Sequence, residues 1–317
     1  MPIRIPIELP AQDILLNENI FAMDSDAASK QDIRPLEVGI LNLMPNKIQT
    51  EAQLCRLLSN TPLQINIDLI RIEKIDGQQP SNATKGHTPQ AHLDTFYTPF
   101  SEVKNKRYDG LIMTGAPLAL LPYEEIAYWD DITEVMTWAN QNVQSTLYLC
   151  WAAHAAMYFH YGVDRELRQK KLFGVFEHQV YEPLNELVRG FDPTFKAPHS
   201  RFGQISTANY RSVEGLQVLA GSENTSAYLV ASRDKRTVFL TGHPEYDFDT
   251  LQREYQRDLR NGVDTAIPEN YFTDDDATNN PLMSWRSHGA LLFSNWLNYY
   301  VYQTTPYDLA ELSAHSF

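Results

Sequence analysis

Two short stretches carry residue types able to do covalent chemistry. LYLCWAAHAAM, Leu147 to Met157, sets Cys150 between an apolar β-rich run and an alanine-rich run that reads as helix. TGHPEY, 241 to 246, holds an imidazole and a carboxylate two residues apart, His243 and Glu245. In extended backbone those two side chains project to one face, and Pro244 favours that form for His243. A thiol, a base to generate its thiolate and a third group to orient the base are the parts of nucleophilic catalysis through a thioester. A helix beginning after Cys150 would favour the thiolate through its N-terminal dipole and set the Trp151 N–H beside an oxyanion. Against this, free cysteine is among the most buried residue types. A reactive turn of this kind also usually has glycine on either side, where this chain has Tyr148, Leu149, Trp151 and Ala152. The catalytic reading rests on the two motifs occurring together, each at the end of a core strand.

The elements that would position them alternate along the chain. LEVGILNLM, 36 to 44, is a near-continuous apolar run ended by Pro45, as in a strand buried on both faces. Thr50 reads as the N-cap of a helix, TEAQLCRLLSN, whose stripe of Ala52, Cys55, Leu57 and Leu58 puts Cys55 in the core. LQINIDLI alternates and predicts a strand exposed on one face, followed by a polar surface loop from Asp76 to Gln90. GLIMTGAP, 110 to 117, is a buried strand running into a turn at Gly115 and Pro117, 123 to 142 has helical spacing, and STLYLC is a fourth strand. Strands alternating with helices imply a flavodoxin-like, doubly wound, mostly parallel α/β sheet with helices on both faces. From 172 onward come shorter strands, LFGVF, LQVLA, AYLVAS and TVFLTG, then a helix from about Asp249 to Asn261 closed by Gly262, and an aromatic segment GALLFSNWLNYYVYQ. The expected organisation is an N-terminal arm over 1–35, a single α/β domain over 36–302 and a tail over 303–317. Reactive groups of such sheets collect at the carboxyl edge, where TGAP, LCWAAH and TGHPEY all end.

The 317 residues, 43% hydrophobic, suffice for a large core. A formal net charge of -14 argues against general affinity for nucleic acid or an anionic membrane, yet leaves room for a local cationic pocket. No apolar run reaches the roughly 18 residues of a membrane helix, and MPIRIPIELP lacks a secretory core, so a cytoplasmic location is expected. The two cysteines, Cys55 and Cys150, fall in separate elements without a CxxC, which speaks against a disulfide framework, a zinc site or dithiol redox chemistry.

Strand, C-W-A-A-H and a later G-H-P-E resemble the Cys, His and Glu arrangement of class I glutamine amidotransferases. The elbow departs from that family's G-x-C-x-G-x-Q pattern: Tyr148, Ala152 and His154 stand where its glycines and glutamine would be, which argues against glutaminase activity. A closer resemblance is to the homoserine O-acyltransferases of the MetA type, and it covers almost the whole chain. It runs through MPIRIP, QDIRPLEVGILNLMPNKIQTE, YDGLIMTGAP, LCWAAHA, KLFGVFEH, APHSRF, TGHPEY, EYQRD, SWRSHG and LLFSNWLNYYVYQTTPYDL. That resemblance implies the same fold, acyl transfer from an acyl-CoA co-substrate to L-homoserine in methionine biosynthesis, no permanently bound cofactor or metal, and commonly a homodimer. It places the nucleophile on Cys150, the proton acceptor on His243, the third catalytic residue on Glu245 and substrate contacts on Lys171, Ser200 and Arg257. By type alone these last three read as a solvated lysine, a turn hydroxyl and the polar face of a helix. In the family's roles, the planar fork of Arg257 suits the α-carboxylate of homoserine, while Ser200 and Lys171 add hydrogen bonds and positive charge. His154 is then a helix residue near the site and not the base.

In that family the residue two after the proline of the GAP turn goes with the acyl donor, glutamate with acetyl-CoA and glycine with succinyl-CoA. Here it is Ala119, which is neither. A glutamate would fill the space for a succinyl tail and repel its carboxylate, whereas alanine is small and uncharged, so succinyl-CoA is favoured over acetyl-CoA. Oxyanion donors are expected at the Trp151 N–H and in the turn after Thr114, where Pro117 cannot donate. The competing readings are acetyl transfer, serine as the acceptor, a glutaminase, and a redox sensor built on Cys150.

Overall fold

The structure is a computed structural model that describes residues 3–4, 9–17, 22–23, 34–73 and 88–315. Its strands are β1 (Ile3–Arg4), β2 (Ala22–Met23), β3 (Leu36–Leu41), β4 (Ile65–Arg71), β5 (Tyr97–Pro99) and β6 (Tyr108–Met113). They continue with β7 (Val143–Leu149), β8 (Glu166–Val180), β9 (Thr194–Gln204), β10 (Leu216–Ser222), β11 (Ser226–Ser232) and β12 (Thr237–Leu240). All join one sheet in the order β2-β1-β4-β3-β6-β7-β12-β11-β10-β8-β9, with β5 paired beside β4. Every pair from β2 to β12 is parallel, and every pair from β12 to β9 is antiparallel.

The period of two along the central strands divides their side chains between two cores. Val38 and Ile40, Ile67 and Leu69, Ile112, Leu147 and Leu149, and Val238 and Leu240 face one core. Leu41, Ile70, Leu111 and Met113, Tyr148 and Phe239 face the other. The first core is closed by α1 (Pro10–Asn17), α2 (Lys47–Leu58) and α7 (Arg286–Asn295), the second by α4 (Trp129–Asn142) and α5 (Trp151–Tyr161). Two short-range periodicities therefore produce the layers expected from the sequence, with helices on both faces. Cys55 is fully buried in the first core, where burial and then Glu51 push its thiol up to about 12, so it stays protonated and inert.

Four local expectations are corrected. Helix α2 starts at Lys47, capped by the Asn46 side chain on Gln49 N, and Thr50 lies one turn inside with its hydroxyl bonded back to Asn46 O. Pro45 ends the preceding segment, so Asn46 is the first residue free to cap. The span 123–142 is not one helix: a 3₁₀ turn over Tyr123–Glu125 precedes α4. Strand β8 is fifteen residues long, and β9, unforeseen, pairs with it over most of its length. Pro198 disguises β9 in the sequence, and it is tolerated because β9 is the sheet's last strand in this order. Of the loop expected from Asp76 to Gln90, residues 76–87 lie outside the described residues, and Gln90 opens helix α3 (Gln90–Phe96). The helix foreseen from Asp249 is α6 (Thr250–Arg260), and Gly262 follows it at φ +69°. In the aromatic segment, α7 runs on into a π-helical stretch over Trp296–Tyr302.

The parallel block sets the functional edge. Met113 pairs with Tyr148 and Leu149 with Leu240, so β6, β7 and β12 end nearly level. Cys150 N donates to Leu240 O at 2.7 Å, and Thr114 N to Leu41 O at 3.1 Å. The segment after β12 is held from outside by α7: a β-carbon at Gly289 would lie 2.8 Å from Pro244 O and 3.1 Å from Pro244 Cβ. Because the obstacle is backbone, Gly289→Ala is expected to displace the segment between His243 and Glu245. A drop in kcat of at least about tenfold, accompanied by a lower Tm in a thermal melt, is the expected outcome; unchanged turnover would show that the segment has slack.

Candidate active site

Cys150 sits between β7 and α5 with φ +50° and ψ −108°, left-handed backbone for a residue with a side chain. Such a conformation costs on the order of 1–3 kcal/mol and persists where the surroundings enforce it. The enforcement here is the hydrogen bond to Leu240 on one side and the turn after Thr114 on the other. A β-carbon at Gly115 would lie 3.3 Å from Cys150 Cβ and 3.7 Å from Trp151 N. The Trp151 N–H, at the first helical position, has no intrahelical acceptor, and it shares this space with the backbone at Gly115. This is a strand–turn–helix elbow in which glycine at Gly115, on a neighbouring loop, supplies the room that flanking glycines supply elsewhere.

His243 meets the elbow from β12. Its Nδ1 is 2.7 Å from Glu245 Oε1, its backbone N donates to Pro198 O at 2.9 Å, and its ring stacks on Tyr246 at 4.2 Å between centroids. With Nδ1 engaged, the ring also feels the Cys150 side chain as a neighbouring charge. Burial alone would push the His243 pKa down, but the Cys150 and Glu245 charges outweigh it and hold the imidazolium well above its usual range. Since the folded value is raised, this term stabilises the fold fully below the ordinary histidine value near 6.5 and is lost as pH rises through the folded value. His154, one helical turn into α5, is driven the other way by burial and by Arg201 and Arg165, and remains neutral. It is near the site and is not the base.

The three substrate-side residues converge on one helix. Lys171 Nζ on β8 reaches Glu254 Oε2 at 3.4 Å and Asp258 Oδ2 at 3.5 Å, and Ser200 Oγ on β9 donates to the same Glu254 oxygen at 2.5 Å. Arg257 forks onto Asp258 Oδ1 through Nε at 2.9 Å and Nη2 at 2.7 Å, with half its side chain still exposed. Tyr246 Oη donates to Glu254 Oε1 at 2.8 Å while its ring carries His243, which ties this cluster to the catalytic ring. Glu254 and Asp258 are four apart on α6 and so share a face, a spacing visible in EYQRD that the sequence reading left unused. Ser200 is a strand residue, not a turn hydroxyl. A further cation escaped the reading altogether. Arg201 is 4% exposed, its guanidinium donates to Gly203 O at 2.5 Å and Thr225 O at 2.6 Å, and burial lowers its pKa to about 10 while the Cys150 charge opposes the fall.

A mostly parallel α/β sheet with a cysteine, a histidine and a glutamate at its carboxyl edge has the class of fold seen in class I glutamine amidotransferases. Among solved structures, a glutamine amidotransferase from Thermotoga maritima superposes with a TM-score of 0.50 at 9% identity, covering 85% of this chain and 100% of that one, a likeness of fold alone. Within that class, the chain belongs to the homoserine O-succinyltransferase family, whose model matches residues 2–307. It is 65% identical over 316 residues to the homoserine O-succinyltransferase of Alteromonas mediterranea, covering 100% of this chain and 99% of the relative. It is 53% identical to that of Proteus mirabilis, covering 99% of each. The family expectation is borne out, and of the two donors weighed at Ala119 the family's name carries succinyl. Among the described residues no helix is long and apolar enough to cross a membrane.

Two measurements check the elbow. Glycine ordinarily costs about 0.5–1 kcal/mol relative to alanine, but at φ +50° the order should invert, so chemical denaturation is expected to find Cys150→Gly at least as stable as Cys150→Ala. In Glu245→Gln one source of the raised His243 pKa is removed, so the His243 titration followed by NMR should move to lower pH. The turnover rate should fall on the order of 10³–10⁴-fold as the ring loses its orienting partner.

Proposed function

We propose that the protein transfers a succinyl group from succinyl-CoA to the hydroxyl of L-homoserine by a ping-pong route through a Cys150 thioester, as a step of methionine biosynthesis. The observation that carries this reading is a His243 ring held by Glu245 and kept as imidazolium by the Cys150 and Glu245 charges. The Cys150 thiolate attacks the thioester carbonyl, and the oxyanion is met by the Trp151 N–H and the backbone of the turn at Gly115. Collapse expels the CoA thiolate, which takes the His243 proton and leaves as the thiol. Neutral His243 then accepts the homoserine hydroxyl proton as the oxygen attacks the acyl-enzyme. Departure of the Cys150 thiolate restores the original ion pair.

The cluster on α6 suits the acceptor. Arg257, with Nε and Nη2 on Asp258 and its outer end exposed, binds the α-carboxylate through the N–H groups that remain free of Asp258. Glu254, held by Ser200, Lys171 and Tyr246, is placed to take the α-ammonium. In this arrangement the hydroxyl points towards His243, since Tyr246 bridges Glu254 and the imidazole.

Intact mass spectrometry of the protein with succinyl-CoA and no acceptor is expected to show a succinyl adduct that homoserine discharges and that Cys150→Ala abolishes. Glutamine hydrolysis without any adduct would overturn the reading. Arg257→Ala should leave adduct formation unchanged. Its kcat/KM for homoserine should fall roughly tenfold to a hundredfold, the range of a charge-assisted hydrogen bond. Equal slowing of both half-reactions would remove Arg257 from the acceptor site.

A further inference from the structure

Next to the elbow lies a group of buried polar atoms that the transfer steps above do not use. Trp151 Nε1, the Tyr123 hydroxyl and Arg165 Nη1 are all buried and complete no hydrogen bond. They are neighbours: the Arg165 guanidinium lies over the Tyr123 ring, 3.8 Å from its centroid, and the Tyr123 and Trp151 ring centroids are 6.0 Å apart. Tyr123 is 2% exposed and Trp151 is 3% exposed, and Trp151 directly follows the nucleophile. Buried donors are normally satisfied by protein or water, so three in one place mark a position where an acceptor is to be supplied.

The guanidinium is held in place without being neutralised. Arg165 Nε donates to Ala119 O at 3.2 Å and Nη2 to Leu121 O at 2.5 Å, which uses two of its edges on the loop after β6. The two nearby carboxylates are engaged elsewhere: Asp164 accepts the Arg165 backbone N–H at 2.7 Å, and Glu124 accepts the Tyr158 hydroxyl. Among the described residues Arg165 has no ion pair. A partly enclosed arginine whose remaining N–H edge meets an indole N–H and a phenol has the donor set of a carboxylate site.

We propose that Arg165, with Trp151 Nε1 and the Tyr123 hydroxyl, binds the distal carboxylate of the succinyl group while its thioester carbonyl sits on the elbow. This rests on the succinyl transfer argued above and names the residues that read the donor. Two methylenes separate the carboxylate from the thioester carbonyl, a span on the order of 4 Å from standard bond lengths, so the carboxylate must be read by groups close to Cys150, and Trp151 directly follows it in the chain. The backbone anchor of Arg165 is Ala119 itself, so an acidic side chain at 119 would stand close to the guanidinium and compete for its charge.

The competing role for Arg165 is a clamp on the Ala119–Leu121 loop, and a comparison of donors separates the two. Full-length wild type, Arg165→Gln and Arg165→Lys are each reacted with succinyl-CoA and with butyryl-CoA, which has the same chain length and a methyl in place of the carboxylate. Single-turnover acylation of Cys150 is followed by intact mass, so a slow donor is still measured, and the ratio of the two rate constants is independent of the fraction of folded protein. Carboxylate recognition predicts that Arg165→Gln loses roughly tenfold to a hundredfold with succinyl-CoA and at most about threefold with butyryl-CoA, with Arg165→Lys in between. Equal losses with both donors, or no loss with either, would overturn the proposal. Absence of any adduct in the wild type would instead sink the thioester reading on which it rests.

Discussion

The hydrogen bond from Cys150 N to Leu240 O is the constraint on which the site depends. It is the last rung of the β7–β12 ladder, and it ties the backbone of Cys150 to the strand that delivers His243. With β6 level on the other side, three chain segments leave the sheet from adjacent strands, each about 4.8 Å from the next. Cys150 turns left-handed there because the next helix has to start at once, and the room for its backbone comes from Gly115 rather than from its own neighbours. The glycines absent from LYLCWAAHAAM are thus compensated across strands, through a contact that no local motif records.

Around that junction the protein, acidic as a whole, concentrates cations. Arg201 lies buried among backbone carbonyls behind the elbow, Arg165 beneath the loop after β6, and Lys171 and Arg257 along α6. Arg201, the one buried residue among these four, acts over short distances with little screening. The four cations suit a reaction that handles one thiolate, two successive oxyanions and substrates carrying carboxylates. The net charge governs what the surface repels, and the placement of a few arginines governs what the pocket holds.

The antiparallel half of the sheet has its own part in this. Strands β8 and β9 bring Lys171 and Ser200 to α6, and Pro198 of β9 receives the His243 backbone N–H. The added ladder therefore supports His243 from behind and brings Lys171 and Ser200 onto Glu254 beside it. Tyr246 joins the two, with its ring under His243 and its hydroxyl on Glu254. Burial and the surrounding carboxylates raise its pKa well above the ordinary phenol, so it remains a donor.

The sequence by itself determined the layered parallel core, because apolar alternation and helical stripes are local signals that burial on two faces enforces. It also pointed to Cys150, His243 and Glu245 as a candidate trio, because a cysteine and an H-x-E stand at strand ends in such a sheet, and a long family resemblance named a chemistry for them. Only the tertiary structure decided that β8 and β9 form a long ladder, since Pro198 and polar runs such as ELRQKK conceal a strand whose pairing is non-local. It alone joined Glu254 to Ser200 and Tyr246, and it alone exposed Arg201 and Arg165 as cations that have no carboxylate partner among the described residues. In a list of residues an arginine looks solvated, and whether it is depends on which carbonyls and rings the fold brings around it.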